Sequence, residues 1–160
     1  MTAAPTVAAG IAFPATANPQ AGVNVLDDYQ EGTLTPALAG AGGASGQTYG
    51  TQSGLYVKIG KLVHFEIVII LTAKGTLTGD LIVTGLPVAA AGHCNVTAHW
   101  DSIVAAAVLT TPAFVESGTT QIRLYQLSAA GASSFGAPMV TADIDNDSQV
   151  YISGMYIATE

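Results

Sequence analysis

Residues 62–71 alternate between two sets. Val63, Phe65, Ile67, Ile69 and Leu71 fall on one side, and Leu62, His64, Glu66, Val68 and Ile70 on the other. A period of two predicts a β-strand whose first face belongs to a core. The second face begins half polar and turns apolar, so its far end needs cover from another sheet or another subunit. Short β-branched and aromatic runs at 55–59, 80–84, 95–99, 103–109, 121–127 and 150–157 predict further strands. Gly60-Lys61 fits a hairpin turn, and Gly75, Gly79, Gly85, Gly92, Gly118, Gly131 and Gly136 punctuate the remainder. There are no heptads, no internal repeat and no helical period longer than a turn or two. The expected architecture is all-β, an antiparallel two-sheet sandwich.

The first 26 residues carry no charge and are dominated by Ala, Pro, Thr, Val and Gly. Pro5, Pro14 and Pro19 fix φ and push their predecessors toward extended conformations. Residues 1–25 are therefore expected to form an extended arm that gains order by lying on its own domain or a neighbour. Residues 26–160 form the domain.

Composition sharpens this picture. The chain is 49% hydrophobic and only 9% charged, against roughly a quarter charged in an average soluble domain. A surface so poor in charge is weakly protected against self-association, unless association is the native state. Four Lys and Arg against 11 Asp and Glu give a net charge of −7, which leaves no counterion-release drive toward nucleic acid. The apolar runs are far shorter than the ~20 residues of a spanning helix, so no membrane partner is expected. The N-terminus lacks the basic n-region of a signal peptide. A single Cys excludes a disulfide framework.

Candidate chemistry is thin. The Gly54 to Leu62 stretch misses a phosphate-binding loop, with five residues between the glycines and Leu62 after Lys61. Asp143, Asp145 and Asp147 could offer oxygen ligands to a divalent cation, but an acidic turn entering the last strand explains them more simply. Asp27, Asp28 and Glu31 could suggest paired carboxylates, yet adjacent residues diverge in extended chain, and turn or capping roles with Gly32 are expected. His64 and Glu66 share a strand face without a nucleophile beside them. His93, Cys94 and His99 lack a second Cys and a fourth ligand at metal spacing, and Trp100 reads as a core or interface aromatic. Asn95-Val-Thr97 and Asn146-Asp-Ser148 match the glycosylation pattern, which means little without a signal peptide. No catalytic residue, cofactor or metal site is assigned.

Several segments resemble a module of tailed-bacteriophage virion proteins, found at the C-terminal end of tail fibres and tailspikes. They are Ile11-Ala-Phe-Pro-Ala-Thr16, Leu26-Asp-Asp-Tyr-Gln-Glu-Gly-Thr-Leu-Thr-Pro36, residues 49–63 with their Tyr-Val-Lys-Ile-Gly-Lys-Leu-Val core, Thr72-Ala-Lys-Gly75, Thr84-Gly-Leu-Pro87 and Val150-Tyr-Ile-Ser-Gly-Met-Tyr-Ile-Ala158. Leu34 departs from the aromatic that often follows Glu-Gly-Thr. The resemblance implies a jelly-roll-like sandwich working as a homotrimer on the virion surface. Val68, Ile70 and Tyr29 are then expected at the subunit interface. A fibre tip follows a long shaft, whereas a short arm precedes Leu26 here. The expectation is a stand-alone knob that decorates and cements the head, its arm meeting the major capsid protein through Ile11, Phe13 and Pro14. The alternative is a receptor-binding tip, attached to tail or baseplate proteins, that recognises a host surface glycan.

Overall fold

The computed structural model describes residues 28–104, 108–128 and 136–159. Most of them lie in antiparallel strands. In chain order these are β1 (Tyr29–Leu34), β2 (Ala37–Gly40), β3 (Gly43–Ser45), β4 (Thr48–Ile59), β5 (Leu62–Ala73), β6 (Thr76–Thr78), β7 (Leu81–Thr84), β8 (Cys94–Ile103), β9 (Val108–Thr110), β10 (Ala113–Val115), β11 (Gln121–Ser128), β12 (Ala137–Pro138) and β13 (Ile144–Ile157). A 3₁₀ turn, Thr141–Asp143, leads into β13.

One curled sheet runs in the order β1-β4-β5-β13-β8-β10-β11-β7-β2. The curl is made at β8. Its residues from Thr97 onward pair β13 along one edge, while Cys94, Asn95 and Val96 pair β10 along the other. A strand that changes sheet in this way makes a corner and turns one sheet into two facing layers. Gly154 permits the close approach there, because a Cβ at that position would sit 2.4 Å from Val96 Cγ1. The first layer is β1-β4-β5-β13 with the end of β8; the second is the start of β8 with β10-β11-β7-β2. β3 and β6 form a separate two-stranded ribbon.

The core lies between the layers. Val63, Phe65, Ile67, Ile69 and Leu71 of β5 join Ile152 and Tyr156 of β13, Ile122 and Leu124 of β11, Val83 of β7 and Leu38 of β2 in one buried cluster. Each such side chain contributes about 1.5–3 kcal/mol on burial. Tyr156 meets the ring edge of Phe65 at 6.0 Å and donates its hydroxyl to Val88 O at 2.7 Å. Burial pushes its phenol up to about 12, with a smaller opposing effect from the Val88 carbonyl.

The all-β antiparallel sandwich expected from the sequence is the observed fold. Ile59 and Leu62 face each other across the Gly60-Lys61 turn, where Gly60 supplies the positive φ of 57° that a type II′ hairpin needs at its first position. Two strand expectations need correction. The run at 103–109 is not one strand: Ile103 ends β8 after Ser102 adopts a φ of 56°, and β9 begins only at Val108. The run at 55–59 is the second half of a strand that starts at Thr48, because pairing with the whole of β5 holds the Gly- and polar-rich first half extended. The arm of residues 1–25 lies outside the described residues.

Candidate interaction surface

Register alone places the outward side chains of the first layer on one surface. Across β4 and β5, Ile59 opposes Leu62, Val57 opposes His64 and Leu55 opposes Glu66. On the other side of β5, Ile157 opposes Leu62, Met155 opposes His64, Ser153 opposes Glu66 and Tyr151 opposes Val68. β1 adds Tyr29 beside Ile59, Glu31 beside Val57 and Thr33 beside Leu55. Directly opposed residues share a face and touch.

Six of the eight exposed large hydrophobic residues among those described lie here: Leu55 (60% exposed), Ile59, Leu62, Tyr151, Met155 (57%) and Ile157. They concentrate at the end next to the Gly60-Lys61 turn. Soluble monomers rarely leave so contiguous an apolar surface open to water, so its chemistry is that of an interface. The polar groups on the face are few. Tyr29 donates its hydroxyl to Glu31 Oε2 at 2.7 Å, and this bond raises the phenol pKa. Glu66 stands exposed in the middle of the face with no ion pair among the described residues.

Two clefts indent the surface on either side of Leu55. One, of about 510 Å³, is lined by Thr33, Thr35, Gln52, Ser53, Glu66 and Val68 among others; the second, of about 410 Å³, runs past Glu31, Gly32, Tyr56 and Val57. Hydroxyl, amide and carboxylate groups around an apolar ridge can accept protruding side chains of a partner.

Val68, Ile70 and Tyr29, named from the sequence, all lie on this face, and Val68 and Ile70 are half-buried within it. Leu55, Ile59, Leu62, Met155 and Ile157 carry more of its exposed apolar character and were not singled out. Their signal was present: the outward positions of residues 150–157 are Tyr151, Ser153, Met155 and Ile157. Ile11, Phe13 and Pro14 lie outside the described residues.

The remaining candidates are dispersed. His64 and Glu66 share the outer face, and His99 lies tilted against Tyr151 with ring centroids 6.2 Å apart. His93 instead packs edge-on to Phe114 at 5.4 Å on the outside of the second layer, and its Nδ1 accepts the Ser117 amide. Asp143 and Asp145 are turn-formers. Asp143 Oδ2 accepts the Val140 amide, Asp145 Oδ1 accepts the Asn146 amide, and Ser148 Oγ pins the excursion to Ser102 O. Among the described residues no three His, Cys, Asp or Glu side chains gather as a metal set. Asp27 lies outside the described residues. Asp28 is not the turn or capping residue expected, and Gly32 lies inside β1 beneath the Tyr56 ring. The Asp28 carboxylate is buried and paired with the equally buried Lys58 ammonium, which fastens the start of β1 to β4. Trp100 is a buried core residue, as expected, although its Nε1 finds no hydrogen-bond partner among the described residues.

The sequence matches no family model and no curated protein. Among solved structures, the fold is similar to the crystal structure of the Dettilon tailspike protein, with a TM-score of 0.62 and 13% identity. That match covers 80% of this chain and 23% of the tailspike chain, so this chain spans about a quarter of the length of the protein it resembles.

Proposed function

We propose that the chain is a non-catalytic structural component of a bacteriophage virion surface, a β-sandwich knob that assembles as a homotrimer through the outer face of its first layer. The observation that carries this reading is the apolar face itself, on a fold similar to a tailspike's. The low charge of the chain supports it, since most polar surface is neutral and association costs little charge desolvation. A structural role is also favoured by Asp143 and Asp145, whose carboxylates cap backbone amides, and by Asp28, which pairs with Lys58.

Two locations fit such a knob. As a capsid decoration, it would bind the major capsid protein through the charge-free arm of residues 1–25, with Ile11, Phe13 and Pro14 as its apolar contacts, and stabilise the shell through many weak contacts. As a tail component, it would sit on tail or baseplate proteins and recognise a host surface glycan. The likeness to a tailspike favours the second location.

The native mass of the purified chain tests the assembly, with the expected species at about three times 16.1 kDa. Copy number in purified particles then separates the locations. Near-stoichiometry with the major capsid protein supports decoration, whereas a few copies per particle support the tail.

A further inference from the structure

The chain has four basic side chains, and the fold uses three of them internally. Lys58 is buried against Asp28. Lys74 Nζ donates to Thr141 O and Ile144 O. Arg123 pairs with Glu116 Oε1 at 2.9 Å and Asp80 Oδ2 at 3.5 Å. Lys61, exposed at the tip of the β4–β5 hairpin beside the apolar row of Ile59, Leu62 and Ile157, makes no such contact among the described residues. Glu66 is its counterpart, a carboxylate flanked by Leu55 and Ser153 at the centre of the outer face, without an ion-pair partner among the described residues.

Within one molecule the two do not pair among the described residues. Glu66 lies five residues along the strand from Lys61, roughly 16 Å at about 3.3 Å per residue, so both side chains would have to extend fully toward each other. A second copy of this chain can bring them together.

We propose that the outer face is self-complementary, with Lys61 of one copy seated against Glu66 of the next. This inference rests on the homo-oligomeric reading above and specifies how the copies are oriented. In the trimer proposed above the contact is head-to-tail, each copy giving one lysine to one neighbour and receiving one from the other. The cleft of about 510 Å³ beside Glu66, lined by Thr33, Thr35, Gln52 and Ser53, offers hydroxyls and an amide around the entering ammonium. The apolar rows supply the affinity, and the charge pair selects the register and direction of approach. A chain carrying a charge of −7 needs such a device, since like-charged copies repel in every orientation that does not pair opposite charges.

The test is a charge swap followed by sedimentation across a concentration series. Both residues are exposed, so K61E, E66K and the double variant K61E/E66K should fold, and circular dichroism checks this. Each single variant should raise the concentration at half-assembly about tenfold, and the double variant should return it close to wild type. Raised salt should weaken wild-type assembly in the same direction. A wild-type oligomer that neither single variant disturbs, or that the double variant fails to rescue, overturns the Lys61–Glu66 contact while leaving the oligomer in place. A wild-type chain that stays monomeric at every concentration overturns the oligomeric reading and this contact together, and makes the capsid or the chain's own residues 1–25 the occupant to look for.

Discussion

The outer faces of the two layers are built on the same pleat and finished in opposite ways. On the second layer, Arg123 is neutralised by Glu116 and Asp80, while His93, Phe114 and Tyr125 form a ladder with centroid spacings of 5.4 and 5.5 Å. Glu116 is the main cause of the raised guanidinium pKa of Arg123. The groups there satisfy one another. On the first layer, Leu55, Ile59, Leu62, Met155 and Ile157 stand exposed, with no covering partner among the described residues. The difference teaches where a charge-poor sequence uses its few cations. Among the described residues, one outer face is completed from its own side chains and the other is left open.

The largest expected effect comes from crossing β5 from its outer to its inner face. Phe65 is fully buried against Tyr156. Phe65→Ala removes a ring from a packed core and should cost about 3–5 kcal/mol, read from urea unfolding. A loss below about 1 kcal/mol would mean that the two faces of β5 are not the core and surface they are taken to be.

The next effect tests what holds the rim of the exposed face. β1 is an edge strand carrying Tyr29, Glu31 and Thr33, and its start is tied down by the Asp28–Lys58 pair and by the Gly60 amide donating to Asp28 O. Asp28→Ala leaves the buried Lys58 ammonium without its partner and should cost about 3 kcal/mol. Amide exchange should accelerate first in β1. Uniform acceleration across both layers would instead show that the pair supports the whole sandwich rather than one rim.

Much of this architecture was legible in the sequence. The alternation in residues 62–71 identified the core face of β5, and the two-residue turn at Gly60-Lys61 joins it to β4. Val68 and Ile70 could be placed on the outward face for that reason, whereas Tyr29 reaches it through β1, a strand not read from the sequence, which pairs with β4. Other features were hidden by their physical nature. β2, β3, β6, β10 and β12 are two to four residues long, too short for any period to show, and they exist because neighbouring strands offer unpaired backbone. The Asp28–Lys58 pair joins residues thirty apart, and no local pattern announces a buried charge. Ile103 looked like the start of a strand because hydrophobic composition does not reveal the left-handed backbone at Ser102.

A smaller effect separates the buried seam between β13 and the loop after β7. Tyr156→Phe keeps the ring and removes the hydroxyl bound to Val88 O, and should cost about 1 kcal/mol. The same phenol makes stability pH-dependent. Its pKa is about 12 in the folded chain and 10.0 when exposed, so the folded state holds its proton more tightly. The stabilisation is complete below pH 10, where both states are protonated, and is lost as pH rises through 12. The variant should show a shallower alkaline decline than the wild type; identical slopes would assign that decline to other groups.

The smallest expected change in folding stability is the one that sharpens the comparison most. Leu62 is 42% exposed in the apolar row beside the hairpin. Leu62→Ser should alter unfolding of the isolated chain by no more than about 0.5 kcal/mol, because the residue holds little of the core. Its cost should appear in assembly, where the wild-type side chain would be fully covered by a neighbouring copy. An increase of about tenfold in the concentration at half-assembly corresponds to the ~1.4 kcal/mol expected from covering the rest of one leucine. A substitution on the second layer, Phe114→Ala, offers the mirror image. It removes the middle rung of the His93–Phe114–Tyr125 ladder and should weaken folding while leaving assembly unchanged. If both variants affect assembly alike, the second layer also meets a partner, and the division between a completed face and an open one fails.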